Sequence, residues 1–390
     1  MTKLFALFTL FIATGFATVV QLTPPLLNTE TIRSEIACNR PMRIGRFNIS
    51  KEDFSGEKGA KTVINCLGHG GSGWTTLFGS VNQAIRLFEA TQPNKIVPIR
   101  VIGAGCMGLT VAAELTRLGY KVAGITAKEF YDTASWRATG YFALVSVKTS
   151  PEEQENLNLI GMDTFRTYQQ IEQNRHPFLF PDTVRMIPVY CSKETDSGVE
   201  DLEIRGLIPP REEVTLDFGN GVIYPDYVKY MTYFMDVTKI MRQLNIEVDR
   251  IGIPIEIKEL NSFDEVDEAV VFNCSGLGGK VLNGDNNLVP VRGHLLLMDE
   301  KSGIDHMDYM IYTKDPNAEG KYIYMFPKPR QVTLVEQEGY DCQGLLGGTF
   351  IPLKDGISQE EVAQIDRKSF EDLRHRNALF FTGKPFPEKN

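Results

Sequence analysis

A glycine-rich segment, Val101-Ile-Gly-Ala-Gly-Cys-Met-Gly108, has the residue types and spacing needed to hold a pyrophosphate. Its G-x-G-x-x-G spacing is weak evidence by itself, but here it follows an apolar strand and opens a helix. The first glycine permits a tight turn, the second lets a phosphate approach the backbone, and the third lets helix and strand pack closely. The helix N-terminus then offers free N–H groups to the phosphates. The predicted cofactor contacts here are Gly103, Ala104, Gly105, Met107 and Gly108.

The loop alone does not decide between FAD and NAD, and an acidic residue near the end of the next strand would be expected to bind a ribose hydroxyl. That strand ends Ile125-Thr-Ala-Lys128-Glu129, so the carboxylate arrives one or two residues late and behind a lysine. Lys128 and Glu129 are therefore candidate cofactor contacts. A solvated loop charge is an equally good interpretation of Glu129.

A second glycine-rich turn, Gly68-His-Gly-Gly-Ser-Gly73, follows the apolar segment 62–67. Residues 74–90 after it have apolar side chains at helical spacing. His69 has the chemistry of a catalytic base, but a histidine between glycines is more often a turn residue. We expect no catalytic role for it.

The elements that must position these turns alternate along the chain. Apolar strands are predicted at 62–67, 97–102 and 121–127, with helices at 74–90 and 109–118 between them. This order predicts a parallel sheet with helices on its faces. A further buried strand is predicted at 270–274.

The second half of the chain has a different pattern. Short alternating strands between residues 289 and 350 (HLLLM, YIYMF, QVTLV and LLGGTF) predict an antiparallel sheet. Helices are predicted over 226–244 and 358–378. The predicted fold class is α/β (α+β): a Rossmann-like parallel sheet for the cofactor plus a substrate domain with a mixed or antiparallel sheet.

Composition narrows the function classes. The 390 residues suffice for two domains, and 42% hydrophobic and 23% charged residues are typical of a soluble globular protein. The net charge is −9, and no run of Lys or Arg could follow a nucleic-acid backbone, so we expect no nucleic-acid partner. The six cysteines form no C-x-x-C pair and lie at no metal-ligand spacing from a histidine, so we expect neither a zinc site nor a disulfide framework.

The N-terminus has the features of a secretory signal. Lys3 is followed by an apolar core with small residues at Gly15 and Ala17, which predicts cleavage after Ala17 and export, periplasmic or secreted. A retained membrane anchor and a buried segment of a cytoplasmic protein are the alternatives. No other segment could cross a bilayer, so no stable span is expected after processing.

Six segments together resemble the D-amino-acid oxidase family. The His-Gly-Gly turn with Gly79 is similar to the family's C-terminal signature, and Asn39-Arg-Pro-Met-Arg43 resembles the segment carrying its carboxylate-binding arginine. The remaining four segments are 133–141, Asn273-Cys-Ser-Gly276, Val291-Arg-Gly-His294 and Gly347-Gly-Thr-Phe350.

The resemblance implies noncovalent FAD and oxidation of the C–N bond of a small amine or amino acid. Hydride would pass from the α-carbon to the flavin, and oxygen would then be reduced to hydrogen peroxide. A dehydrogenase of the same fold that passes electrons to a quinone or a carrier is an alternative. So is a flavin-binding or cofactor-less protein without turnover. The partner is a small-molecule substrate, and the assembly can be a homodimer.

The resemblance also assigns site residues. Arg40 would bind the substrate carboxylate, and a tyrosine at the start of the 226–244 helix, Tyr224 or Tyr227, would touch it. The N–H groups of the second glycine turn, with Gly71 counted as catalytic, would face the flavin's pyrimidine edge, where negative charge accumulates on reduction. Further cofactor contacts would be Gly70, Gly71, Ser72, Gly73, Thr133, Ser135, Thr139, Gly140 and Ser275.

The chain departs from the family in its order. Residues 37–92 come before the dinucleotide loop, whereas the family has the matching segments last, so the chain resembles a circular permutation. A gene fusion or a mis-assembled gene model would also explain this order. Ser72 and Ala37-Cys-Asn39 differ from the family's residues, which puts an ordinary D-amino acid substrate in doubt. The predicted units are a signal peptide (1–17), an FAD-binding domain (37–145 and 245–285) and a substrate-binding domain (146–244 and 286–357).

Overall fold

The computed structural model describes residues 17–131, 133–145, 149–299, 308–328 and 342–387. The predicted signal segment, apart from Ala17, and the predicted QVTLV strand lie outside these residues. Within the described residues, no helix combines the length and the apolar character needed to span a membrane.

Sixteen strands and eight α-helices are described. The strands are β1 (Thr18–Gln21), β2 (Ile32–Arg43), β3 (Asn48–Gly56), β4 (Gly59–Leu67), β5 (Ile99–Ile102), β6 (Val122–Ala127), β7 (Val184–Ser192), β8 (Glu212–Asp217), β9 (Ile223–Met235), β10 (Ile255–Ile257), β11 (Val270–Asn273), β12 (Leu288–Asp299), β13 (Met310–Lys314), β14 (Tyr322–Phe326), β15 (Cys342–Gly347) and β16 (Ile351–Pro352). The helices are α1 (Leu77–Glu89), α2 (Cys106–Arg117), α3 (Ala134–Arg137), α4 (Pro151–Glu172), α5 (Glu200–Ile204), α6 (Val237–Arg250), α7 (Gly279–Leu282) and α8 (Gln359–Thr382).

The first sheet has six strands in the order β10-β6-β5-β11-β4-β3. All neighbours are parallel except β3, which pairs antiparallel with β4. Its central strands are apolar because both faces are covered. Helices α1 and α2 pack against each other on one face, and Leu260, Phe263 and Leu282 pack on the other. The predicted parallel sheet is confirmed, with the two predicted helices together on one of its faces.

The second sheet has ten strands in the order β1-β8-β9-β7-β13-β14-β15-β12-β16, with β2 pairing along β12. Most pairs are antiparallel, while β1–β8 and β7–β13 are parallel, so the sheet is mixed, as predicted. Successive side chains alternate between two faces. One face joins the core shared with the first sheet, and the other packs beneath α8.

The long strand β2 belongs to this second sheet. It pairs antiparallel with β12 from Ile32 to Arg43, with Arg40 opposite Val291. The sequence places residues 37–43 in the FAD-binding domain, whereas this pairing places them in the second sheet. Past Arg40, β2 bridges from Met42 to His69, so it connects the second sheet to the second glycine turn.

The helix predicted over 226–244 is wrong in its first half. Strand β9 continues to Met235, because Tyr, Val, Thr and Phe side chains alternate between the two faces of the sheet. Helix α6 begins only at Val237, where the Asp236 side chain accepts the backbone N–H of Lys239 at 3.0 Å. The C-terminal helix is confirmed: α8 begins after Ser358, whose side chain forms a capping box with Glu361.

Candidate active site

The first glycine turn is closed by backbone packed on backbone. Gly103 has φ +104°, and a Cβ there would lie 2.4 Å from the carbonyl oxygen of Cys274. A Cβ on Gly108 would lie 1.9 Å from the carbonyl oxygen of Gly103. Neither position accepts a side chain, which fits the roles that the spacing predicts for the first and third glycines.

Gly105 differs from these two glycines because it faces a more open space. Among the described residues, a Cβ on Gly105 would have a single atom within 4 Å, the hydroxyl oxygen of Ser135 at 3.1 Å. That hydroxyl also accepts the backbone N–H of Cys106, the first residue of α2, at 3.0 Å. The approach to the helix N-terminus is therefore lined by small groups.

Two further hydroxyls near the turn have no partner within the part of the chain that the structure describes. These are the buried side-chain oxygens of Thr133 and Ser275. A buried hydroxyl without a hydrogen bond costs about 1–3 kcal/mol, so such groups call for an explanation. Thr133 precedes α3 and Ser275 follows β11, two segments that the sequence predicts to line the cofactor. A dinucleotide with its many acceptor atoms would satisfy both.

The second glycine turn packs against β2. Gly68 has φ +86°, and a Cβ there would lie 2.6 Å from Cβ of Arg43. Gly70 to Ser72 form one 3-10 turn, in which the Ser72 side chain is buried and donates to the carbonyl of Val145. The predicted contact Ser72 is thus committed to a backbone group, while Gly73 continues the turn toward α1.

Arg40 lies on the face of the second sheet that meets the first sheet. Its guanidinium rests on Gly293, where a Cβ would come within 2.3 Å of Nη1. Nη1 donates to the carbonyl of Thr349 at 3.1 Å, and Nη2 donates to the hydroxyl of Tyr324 at 3.4 Å. The ring of Phe350 lies 4.5 Å from the guanidinium carbon. A guanidinium has five N–H donors, so these two hydrogen bonds leave others for a carboxylate.

Tyr324 is a site residue that the sequence analysis missed. Its ring rests on Gly347, where a Cβ would come within 2.1 Å of the ring. The ring stacks on Phe326 at 5.0 Å, which in turn stacks on Tyr141 at 5.0 Å. Burial raises the pKa of the Tyr324 hydroxyl, so it stays protonated at neutral pH. The signal in the sequence was the pair of glycines, Gly293 and Gly347, whose missing side chains make room for the two functional groups.

Comparison with known proteins finds a family match for the part of the chain that contains the first glycine turn. Residues 99–227 match the model of the DAO family, described as FAD dependent oxidoreductase. These residues match a DAO-family FAD-dependent oxidoreductase domain. A D-amino-acid oxidase from Schizosaccharomyces pombe is 25% identical over 254 residues, which cover 61% of this chain and 68% of that protein. The predicted resemblance to the D-amino-acid oxidase family is confirmed.

The solved structures that this chain resembles include two oxidases. Glycine oxidase from Geobacillus kaustophilus has a TM-score of 0.47 and 17% identity, covering 73% of this chain and 78% of that chain. The fructosamine oxidase Amadoriase II from Aspergillus fumigatus, in complex with FSA, has a TM-score of 0.45 and 15% identity, covering 72% of this chain and 74% of that chain.

The cofactor of the DAO-family domain is FAD. The glycine turn, the N-terminus of α2 and the hydroxyls of Thr133 and Ser275 fit a dinucleotide, and these residues would hold it. When bound, FAD supplies the electron acceptor that an oxidation requires.

The other predicted cofactor contacts have different surroundings in the DAO-family domain. Nζ of Lys128 is paired with Glu259 at 2.6 Å on an exposed surface, and Glu129 is also exposed. Gly140 packs against β9, where a Cβ would lie 1.6 Å from the carbonyl oxygen of Met235. Met107 is buried with its sulfur 3.9 Å from that of Cys66. Gly140 and Met107 therefore shape the site through packing.

The remaining predicted cofactor contacts, in and near the two glycine turns, differ in how exposed they are. Ala104 is buried within the first glycine turn, and Thr139 is half-buried just before Gly140. Gly70 has φ +57°, and a Cβ there would lie 3.2 Å from the Met42 side chain. Gly71, in the same turn, is exposed. An exposed glycine in this turn leaves space for a ligand to approach the backbone.

The two tyrosines predicted to touch substrate do not lie with Arg40. Tyr224 and Tyr227 belong to the core under α8, on the opposite face of the second sheet from Tyr324. The Tyr224 hydroxyl donates to the carbonyl of Phe380 at 3.0 Å, and burial raises its pKa to about 12. The Tyr227 hydroxyl accepts from Thr313 at 3.3 Å.

His69 has core contacts. Its ring stacks on Phe47 at 4.5 Å, and Nε2 lies 3.1 Å from the hydroxyl of Ser80. The side chain is buried, which fits the turn residue expected from the sequence.

Proposed function

We propose that the protein oxidises the C–N bond of a small amine or amino acid that carries a carboxylate, using noncovalent FAD. The observation that carries this proposal is the Arg40 guanidinium, held flat on Gly293 beside Tyr324 on the face that meets the FAD-binding sheet. Relatives described as D-amino-acid oxidase, glycine oxidase and fructosamine oxidase support an amine substrate.

The chain's own residues would bind and orient the substrate. Two parallel N–H groups of Arg40 would bind the carboxylate, since a guanidinium matches the geometry of its two oxygens. The Tyr324 hydroxyl accepts from Arg40, and among the described residues its own hydrogen has no acceptor, so it could donate to the same carboxylate. The stacked rings of Tyr324, Phe326 and Tyr141 would exclude water, which strengthens the ion pair. Fixing the carboxylate fixes the position of the amine-bearing carbon.

Oxygen is the electron acceptor we propose, with hydrogen peroxide as product. The test begins with the visible absorption spectrum of the purified protein, followed by acid precipitation to separate noncovalent flavin from the pellet. Amino acids and uncharged amines are then added without oxygen, and bleaching of the flavin identifies substrates. Reoxidation by oxygen or by a quinone separates an oxidase from a dehydrogenase. A purified protein without flavin, or flavin that no amine bleaches, contradicts the proposal.

The first glycine turn provides an independent test of the FAD site. Gly105→Val places a branched side chain where the pyrophosphate must approach, so we expect the variant to lose its flavin. Gly105→Ala adds a Cβ that meets only a hydroxyl oxygen within 4 Å among the described residues, so its loss should be smaller. Flavin content is measured on protein whose circular dichroism spectrum matches the wild type. Normal flavin in folded Gly105→Val would show that the turn does not hold the pyrophosphate.

A further inference from the structure

A chain of hydrogen bonds runs from Arg40 to the C-terminal helix α8. The carbonyl of Thr349 accepts from Arg40, and the Thr349 hydroxyl is held by His294. His294 in turn reaches Asp366 on α8. Thr349, His294 and Asp366 thus connect the proposed carboxylate site to α8, which lies on the opposite face of the sheet.

His294 contributes its backbone N–H and both ring nitrogens to this series of hydrogen bonds. Its backbone N–H and its Nδ1 both lie 2.9 Å from the Thr349 hydroxyl oxygen, and its Nε2 lies 2.9 Å from Oδ1 of Asp366. Because a carboxylate can only accept, Nε2 carries the hydrogen. Burial lowers the pKa of His294, so the ring is neutral and Nδ1 accepts from the Thr349 hydroxyl. Thr349 is therefore fixed by two hydrogen bonds to a single residue.

Asp366 is fixed just as firmly. Arg292 donates Nε and Nη2 to its two oxygens at 2.9 and 2.6 Å, and Nη1 of Arg292 donates to Asn39 at 3.2 Å. Burial works against ionisation, but the hydrogen bonds from Arg292 and His294 lower the pKa of the Asp366 carboxyl. The carboxylate thus remains charged and holds the His294 ring in one orientation.

We propose that His294 and Asp366 are positioning residues, which fix the Thr349 carbonyl and through it the plane of the Arg40 guanidinium. This inference rests on the proposed function, since it concerns binding of a substrate carboxylate. A guanidinium bound at one edge to a fixed carbonyl presents its other edge in one orientation, so less freedom is lost when the carboxylate binds. Loss of these hydrogen bonds should weaken carboxylate binding while Arg40 itself remains.

Three variants separate positioning from a general structural role. His294→Leu removes both ring hydrogen bonds and fills the same buried position with an apolar side chain. His294→Gln keeps an amide oxygen that can accept from Thr349 and an N–H that can donate to Asp366, so it should restore binding. Thr349→Val keeps the shape and the backbone carbonyl but removes the hydroxyl, and it serves where His294→Leu does not fold.

The measurement is the dissociation constant of propionate, followed by the change in visible absorption of the flavin-loaded protein. We expect His294→Leu and Thr349→Val to weaken propionate binding about tenfold, the effect of losing a well-placed hydrogen bond, and His294→Gln to bind within about threefold of wild type. The KM for an uncharged amine should stay unchanged in all three.

Two results would overturn the inference, and they differ from each other. Wild-type affinity for propionate in a folded, flavin-loaded Thr349→Val or His294→Leu variant would show that the chain does not position Arg40. Failure of the wild-type protein to bind propionate, while it still oxidises uncharged amines, would remove the proposed carboxylate site and the inference with it.

Discussion

Both faces of the ten-stranded sheet carry tyrosines, but the two sets have different partners. On the face toward the FAD-binding sheet, Tyr324 contacts the Arg40 guanidinium. On the face under α8, Tyr224 and Tyr227 bond to Phe380 and Thr313, within a closed apolar core. The residue type is the same on both faces. The side of the sheet decides whether a hydroxyl can meet a substrate. It is set by position along the strand and, for Tyr224 and Tyr227, by a register shift in the β8–β9 pairing that brings both to one face.

The largest expected effect follows from removing the charge on the substrate face. Arg40→Leu removes the charge-assisted pair proposed for the substrate carboxylate, so kcat/KM for an amino acid should fall on the order of a hundredfold or more. Turnover of an uncharged amine should change much less, and flavin content should remain normal. The measurement compares kcat/KM for both substrate types, with flavin quantified in parallel.

Arg185→Leu is the matched control for that prediction. Arg185 lies in β7 of the same sheet, exposed, with its guanidinium 5.4 Å from the ring of Phe234. It should leave both substrates unaffected. Equal losses for amino acid and amine in Arg40→Leu would make Arg40 structural, and lost flavin would mean that it holds the cofactor.

A smaller effect is expected from Tyr324→Phe. The ring keeps its place on Gly347, and only the hydroxyl that accepts from Arg40 is lost. One hydrogen bond to a charged group corresponds to about tenfold, so KM for a carboxylate substrate should rise by about that factor while kcat changes little. Steady-state kinetics with the amino acid and the uncharged amine would test this. An unchanged KM for the amino acid would exclude Tyr324 from carboxylate binding.

The sequence predicts the first sheet and both glycine turns well, because each depends on local patterns. Apolar strands, helical spacing and the positions of Gly103 and Gly108 are all set within a few residues. The Arg40 segment was found only through the family resemblance. Its neighbours Gly293 and Thr349 are more than 250 residues away in sequence, and contacts of that kind depend on strand register.

Tyr324 and the β9 tyrosines show where local patterns fail. The helix predicted over 226–244 placed Tyr224 and Tyr227 at a helix start, while in the structure they lie in a strand whose face can be known only from its pairing with β7 and β8. Tyr324 reaches the site because its ring packs on Gly347, its partner in the neighbouring strand β15. These outcomes depend on which strands become neighbours in the ten-stranded sheet.

The order of the strands along the chain also matters for the site. Strands β4 and β5 both pair with β11, and α1 lies between them in sequence, so residues 59–102 form a strand–helix–strand crossover within the first sheet. This arrangement places the two glycine turns at the same end of the sheet, after β4 and β5, the two strands that flank β11. The permutation relative to the D-amino-acid oxidase family stays a prediction.

The smallest expected effects come from the α8 face, and they complete the comparison. Tyr224→Phe removes a hydrogen bond to the carbonyl of Phe380, and Tyr227→Phe removes the acceptor for the Thr313 hydroxyl. Each should lower the free energy of unfolding by about 1 kcal/mol, the net value of one hydrogen bond. Neither should change KM, although the chemical change is the same as in Tyr324→Phe. Urea unfolding and amino-acid kinetics on the three Tyr→Phe variants should therefore give opposite patterns. Tyr324→Phe should show a binding defect, and the two variants on the α8 face should show a stability defect. A rise in KM for Tyr224→Phe or Tyr227→Phe equal to that of Tyr324→Phe would mean that the two faces are not functionally distinct, and would return these tyrosines to the substrate site.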